Sequence, residues 1–210
     1  MKNIDFLNLA KEVILENNFF NPDNIIGAYL WGSFLYGTNT DSSDIDLVII
    51  TNCGFDYSYQ TDTIDIHFIS SENFISLLKK CDLMALECFF QKNPILKFSI
   101  DFQLDLPILR KSISSTANNS FVKFKKKLIL ENEDNYIGIK SLFHSLRIID
   151  FGIYIAKGDY LCDFKVNLKL WKNILNDAKK YNFSWEELNK IYKPIFNSKM
   201  TEFRKLAPKN

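Results

Sequence analysis

The sequence predicts an α+β protein, with a short mixed β-sheet and flanking helices in its first half and an all-helical second half. Three runs of strand character, at 27–31, 44–50 and 62–69, all lie before residue 70. Beyond Pro107 no convincing period-two run returns, and the pattern is helical to the end. At 210 residues the chain is long enough for a core in each half, so the expected domains are 1–105 and 106–210.

Ile4, Leu7, Leu9, Val13, Ile14 and Leu15 give the mixed three-to-four spacing of an opening amphipathic helix over 4–17, closed by Pro22 and Asp23. Gly27-Ala28-Tyr29-Leu30-Trp31 reads as a short buried strand running into Gly32. Asp44 to Ile50 reads as a second strand, with the apolar run Leu47-Val48-Ile49-Ile50, and 62–69 as a third with clear alternation. Ser71 with Glu72 marks a helix start, and Phe74, Leu77 and Leu78 support the helix that follows. Later helices are expected at 107–129, 135–157, 163–181 and 184–205, with breaks at Asn118-Asn119, 131–134, Gly158-Asp159 and Asn182. Ser184 and Glu187 have the spacing of a capping box.

Composition narrows the class. With 47% hydrophobic and 24% charged residues the chain folds, and no apolar run nears the roughly 20 residues of a membrane span. The stretch Met1-Lys2-Asn3-Ile4-Asp5 lacks the contiguous apolar segment of a signal peptide. Cys53, Cys81, Cys88 and Cys162 are scattered without CxxC spacing, which argues against zinc and fits reduced thiols in a cytoplasmic protein. The net charge of +1 hides a division: residues 1–110 hold 7 Lys/Arg and 15 Asp/Glu, whereas 111–210 hold 19 and 10. Two readings stand for the basic half, a surface for polyphosphate or nucleic acid and a set of merely solvated Lys-rich helices.

The decisive motif is Ser43-Asp44-Ile45-Asp46. Two carboxylates one residue apart on a strand point the same way. In a partly dry site their charges repel unless a cation sits between them, so the pair reads as a divalent-metal clamp. Upstream, Gly32 lets the backbone approach a ligand closely and the Ser33 hydroxyl can donate to a phosphate oxygen, with amides at the start of the following helix adding to an anion site.

Gly32-Ser33 followed some ten residues later by Asp44-Ile45-Asp46 resembles the signature of the DNA polymerase β-like nucleotidyltransferase superfamily. The resemblance implies a nucleotidyltransferase-like sheet and a third carboxylate on a neighbouring strand, for which Asp65 in Ile64-Asp65-Ile66 is the match. Asp44, Asp46 and Asp65 are then the catalytic residues and the ligands of two Mg²⁺ ions, with Asp65 as base or ligand. Gly32 and Ser33 hold the triphosphate of an NTP, with ATP the expected donor. Oxygen donors of this kind suit Mg²⁺, which keeps some of its waters. A narrower likeness, to the RlaP-type nucleotidyltransferases, rests on Tyr36-Gly37, on Leu86-Glu87 with Phe89-Phe90, and on 140–147 with Gly158.

Lys140, His144 and Arg147 fall at i, i+4 and i+7, so one helix face presents three potentially cationic groups. They are expected to contact the triphosphate or the acceptor backbone; the alternative is a solvated stripe or a buried, hydrogen-bonded histidine. His67 shares a face with Asp65 and either touches the site or packs. Glu87, among Met84, Ala85, Leu86, Cys88 and Phe89, pairs with Lys140 or Arg147, extends the site, or is a plain exposed helix position. Lys123, Lys125, Lys126 and Lys127 read as a solvated helix end or an RNA contact.

The implied reaction is Mg²⁺-dependent transfer of a nucleoside monophosphate from an NTP to an acceptor hydroxyl, with release of pyrophosphate, in a cleft expected between the two halves. RNA, such as a tRNA 3′ end, is the favoured acceptor, because the basic half also carries Phe121, Phe124, Tyr136, Trp171, Tyr181 and Trp185, although no more than two of these are expected to face solvent. The alternatives are a protein hydroxyl, as in toxin–antitoxin AMP-transferases, a small aminoglycoside-like alcohol, or a non-catalytic nucleotide-binding module. Retention of Gly-Ser with all three carboxylates weighs against the last.

Overall fold

The computed structural model describes residues 5–130 and 135–209, so the expected break at 131–134 lies outside the described residues. The chain divides into two compact units: one of residues 1–103 with Asp163–Lys165, and one of Leu104–Cys162 with 166–210.

In the first unit, Asp5 caps α1 (Phe6–Asn17) by accepting from the Asn8 amide at 3.1 Å. A 3₁₀ turn at Pro22–Asn24 leads into β1 (Ile25–Leu30), which pairs antiparallel with β2 (Ile45–Thr51). β2 runs parallel to β4 (Ile64–Ser70), which pairs antiparallel with β3 (Tyr57–Gln60), giving a mixed sheet of order β1-β2-β4-β3. From Leu47 to Thr51, β2 is buried on both faces, as expected of a covered central strand. Ala10, Val13 and Ile14 of α1 pack with Ala28, Leu47, Ile49, Ile66 and Phe68 on one face. On the other, Phe74 of α3 (Ser71–Lys79) stacks on Tyr29 with ring centroids 6.4 Å apart. This parity positions the site: because Leu47 and Ile49 turn toward α1, Asp46 and Val48 turn to the opposite face.

The expectation of three strands is corrected to four. β3 is short, exposed at three of its four positions and reads Tyr57-Ser58-Tyr59-Gln60, so it carries almost no apolar signal. What holds it is the ladder to β4 and the packing of Tyr57 on Phe19, with ring centroids 4.2 Å apart. The cap of α3 is Ser70, which accepts from the Asn73 amide, and Ser71 is the first helical residue. A further short helix, α4 (Leu83–Phe89), follows.

The second unit is helical: α5 (Leu106–Ile129), α6 (Asn135–Ala156), α7 (Leu168–Lys180) and α8 (Trp185–Leu206). No break occurs at Asn118-Asn119. Asn118 Nδ2 donates to the Ser114 carbonyl at 2.7 Å, and Ala117 and Phe121 are buried on either side, so core packing overrides the weak helix propensity of asparagine. The span expected as one helix at 163–181 is a 3₁₀ turn, Phe164–Asn167, followed by α7. Ser184 caps α8 by accepting from the Glu187 amide, but the Glu187 carboxylate turns instead to Lys190 Nζ at 2.7 Å, so half of the expected box is made. A Cβ at Gly152 would lie 2.8 Å from Ile113 Cγ2 of α5 and 3.0 Å from Phe203 Cε2 of α8, so glycine lets both helices close on α6. Among the described residues no helix is long and apolar enough to cross a membrane.

Candidate active site

Asp46 and Asp65 are each the second residue of their strands, β2 and β4, and the parallel register sets them side by side. Both are half-buried. Like charges on neighbouring strands destabilise a sheet unless something neutralises them. Asp44 lies just before the ladder, whose first bond runs from the Ile45 amide to the Thr63 carbonyl at 2.8 Å. No group of three or more His, Cys, Asp or Glu side chains among the described residues is gathered closely enough to hold a metal ion. The donors at hand are carboxylate oxygens, the chemistry that Mg²⁺ takes.

β1 delivers Gly32-Ser33 to this edge. The Trp31 amide donates to the Asp46 carbonyl at 2.9 Å, after which the chain turns into α2 (Gly32–Tyr36). Gly32 has φ +57°, and a Cβ there would lie 1.8 Å from Asp46 Oδ2 and 2.6 Å from its Cγ. Only glycine fits, and its smallness is what brings the turn against the carboxylate. Ser33 Oγ is buried and has no hydrogen-bond partner among the described residues, which leaves its hydroxyl a donor for a ligand oxygen. With five residues, α2 is too short for a substantial macrodipole, so its amides act as local donors only. It ends at Gly37 in the left-handed region, φ +69°.

His67 does share the Asp65 face. Its Nε2 lies 3.6 Å from Asp65 Oδ1 and its Nδ1 is 3.1 Å from Ser58 Oγ on β3, while its ring meets Trp31 edge-on at 6.4 Å. Ser58 belongs to the strand that the sequence pattern concealed.

Glu87, on α4, is fully buried, which excludes the exposed-helix reading. Its Oε2 accepts from Trp31 Nε1 at 2.9 Å and from Tyr36 Oη at 2.6 Å. One turn on, Gln91 Nε2 donates to the Leu30 carbonyl at 3.0 Å. Trp31 and Gln91 carried no motif of their own and Tyr36 entered only through the Tyr36-Gly37 step; the signal for this cluster was a glutamate set among apolar neighbours. Burial, followed by the charges of Glu87 and Asp82, pushes the Cys88 thiol well up, so it is inert. All four cysteines are thiols rather than disulfides.

On α6, the alternative of a hydrogen-bonded histidine is the one found. Arg147 Nε donates to His144 Nδ1 at 2.8 Å, which requires a neutral imidazole with its proton on Nε2. Burial, then the charges of Arg147, Lys140 and Lys123, hold the His144 pKa well below its ordinary value. Arg147 is buried and Lys140 Nζ sits over the Tyr136 ring at 5.8 Å. Lys123, Lys125 and Lys126 are exposed along the end of α5, with Lys125 Nζ 5.7 Å from the Trp185 ring. Of the aromatics considered for stacking on bases, Phe121, Phe124 and Trp171 are core residues, and Tyr136 is exposed.

A family profile described as Polymerase beta, Nucleotidyltransferase matches residues 13–134. No curated protein matches the sequence. Among solved structures, a nucleotidyltransferase-like protein from Exiguobacterium sibiricum 255-15 aligns over 96% of this chain and 74% of its own, at 13% identity and a TM-score of 0.31.

Proposed function

The chain belongs to the polymerase beta nucleotidyltransferase family, whose profile spans more than half of it, and from that premise we propose that it moves a nucleoside monophosphate from an NTP, ATP first, to a hydroxyl of RNA. Residues 1–105 act as the catalytic domain and 106–210 as the helical domain, in the manner of the RlaP-type enzymes, in the cytoplasm. The observation that carries the reading is the register of Asp46 with Asp65, against which Gly32 packs too closely for any side chain.

In the proposed step the acceptor oxygen attacks the α-phosphorus, the bond from that phosphorus to the oxygen bridging to the β-phosphate breaks, and pyrophosphate leaves. Asp46 and Asp65, side by side in register, would hold Mg²⁺, with Asp44 as a third ligand drawn in on binding, and Asp65 would also take the hydroxyl proton. Two bound Mg²⁺ ions would acidify the acceptor hydroxyl and neutralise charge on the departing pyrophosphate. Ser33 donates its unpartnered hydroxyl to a phosphate oxygen, and Gly32 leaves room for the phosphates beside Asp46. Lys140 adds a positive charge for phosphate, with Arg147 and the neutral His144 that it hydrogen-bonds as second-tier contacts to the triphosphate or the acceptor backbone.

Charge rather than stacking supports the RNA acceptor. Arg110, Lys111, Arg204 and Lys209 line a cavity of about 490 Å³ in the helical unit, and none of the four forms an ion pair among the described residues. Purified protein incubated with Mg²⁺, labelled ATP and total cellular RNA and protein should label RNA. Asp46→Asn and Asp65→Asn should each abolish the label, and labelling that survives both refutes the assignment. A labelled polypeptide instead of RNA moves the acceptor to a protein. With about four phosphate contacts, RNA binding should fall roughly 50-fold between about 50 and about 200 mM salt.

A further inference from the structure

We infer that Glu87 is a positioning residue for nucleotide binding: its buried carboxylate clamps both ends of the turn that carries Gly32 and Ser33. The inference rests on the nucleotidyl-transfer reading and names a residue which that reading does not use. Trp31 is the residue just before α2 and Tyr36 is its last, and one oxygen of Glu87 accepts from both, at 2.9 and 2.6 Å. Gln91, four residues along from Glu87, fixes the Leu30 carbonyl immediately upstream. The whole passage from Leu30 to Tyr36 is thus tied to one short segment behind it.

The physical need is specific. α2 has five residues, too few to be stable by itself, and Gly32, at φ +57°, adds backbone freedom where the phosphates are to bind. Trp31 has no side-chain capping bond to offer the turn. Something outside the turn must therefore hold it against Asp46. A carboxylate is an expensive group to bury, and a wholly buried one is retained where its hydrogen bonds fix a geometry that an apolar residue would leave loose. Two donors converging on a single oxygen constrain both flanks at once, so the Ser33 hydroxyl and the α2 amides are held in place before the ligand arrives.

Glu87→Leu removes the clamp with little change in volume. Glu87→Gln keeps an amide oxygen that can accept from both Trp31 and Tyr36. Tyr36→Phe removes one donor and leaves the buried carboxylate in place. Each is compared with wild type for thermal unfolding, for binding of inorganic triphosphate with Mg²⁺ by calorimetry, and for hydrogen exchange at the amides of 32–37. Folded Glu87→Leu should bind triphosphate about tenfold or more weakly and exchange these amides about tenfold or more faster, the scale of one buried hydrogen bond lost. Tyr36→Phe should show the same two effects at smaller amplitude, and Glu87→Gln should recover most of both. A purely structural role would lower the unfolding temperature while leaving affinity and exchange in the folded protein unchanged; that result, in either Glu87→Leu or Tyr36→Phe, overturns the inference. Wild-type protein that fails to bind triphosphate overturns the nucleotidyl-transfer reading and this inference with it. Equal binding by wild type and Glu87→Leu overturns the inference alone.

Discussion

Replacing Gly32 by alanine tests the core of the site, because the cost can be divided into a conformational and a steric part. An L-residue at φ +57° costs about 1–2 kcal/mol. The steric part is a Cβ 1.8 Å from Asp46 Oδ2, where Cβ contacts under 3.0 Å essentially never occur, so the carboxylate or the turn must move by more than an ångström. Asp46 Cβ would itself lie 3.1 Å away, so rotating the carboxylate about the Cα–Cβ bond relieves the worst overlap. That rotation takes Asp46 off its alignment with Asp65, and a misplacement of about 1 Å costs on the order of 100-fold in rate. We therefore expect Gly32→Ala to fold, to lose roughly 2–8 °C in Tm, and to lose about 100-fold or more in kcat/KM for nucleotidyl transfer. Gly158→Ala is the control: φ is +89°, but nothing lies within 4 Å of the added Cβ, so it shares the strain without the clash. Wild-type kcat/KM in Gly32→Ala, or an equal loss in Gly158→Ala, would refute the reasoning.

Gly152→Ala should destabilise the helical unit by about 1–3 kcal/mol, since a methyl at that point meets Ile113 and Phe203 at 3.0 Å or less; denaturant unfolding should show the loss, with KM for NTP unchanged in the folded protein. His144 supplies a pH dependence of known sign. It is neutral in the folded chain, with its pKa held well below the ordinary value of about 6.5 that it regains on unfolding, so the unfolded state binds the extra proton. Stability is therefore complete above about pH 6.5 and falls as the pH drops below it. His144→Gln, which keeps an acceptor for Arg147 Nε, should flatten the urea-unfolding midpoint between about pH 5 and about pH 7, and an unchanged slope would assign the effect elsewhere.

The parts of this protein legible in the sequence are those whose cause is local. The buried strand β2 shows as Leu47-Val48-Ile49-Ile50, and the boundaries of α5, α6 and α8 lie within a residue of their periodic patterns. Gly32-Ser33 and Asp44-Ile45-Asp46 are adjacent in sequence to the turns and strands that carry them. What was concealed depends on partners distant along the chain. β3 is a strand because β4 lies beside it, and Asn118-Asn119 stays helical because Ala117 and Phe121 are anchored in a core. His144 looks like a cation until Arg147 Nε is found pointing at its Nδ1. The link from Glu87 to Trp31 and Tyr36 spans more than 50 residues and has no periodicity to betray it.

Acidic residues stand in two different settings in the first unit. Asp46 and Asp65 are half-buried and set side by side, an arrangement whose repulsion weakens the sheet. On the proposed reading a bound cation would relieve that repulsion. Glu87 is the reverse case. Its oxygen is satisfied from within the protein by Trp31 and Tyr36, and it acts by fixing other groups. The excess of Asp and Glu over residues 1–110 is therefore not one acidic surface. The same short turn meets carboxylates in both settings, Gly32 lying against Asp46 and Trp31 and Tyr36 donating to Glu87. Through those two bonds Glu87 holds Gly32 close against Asp46.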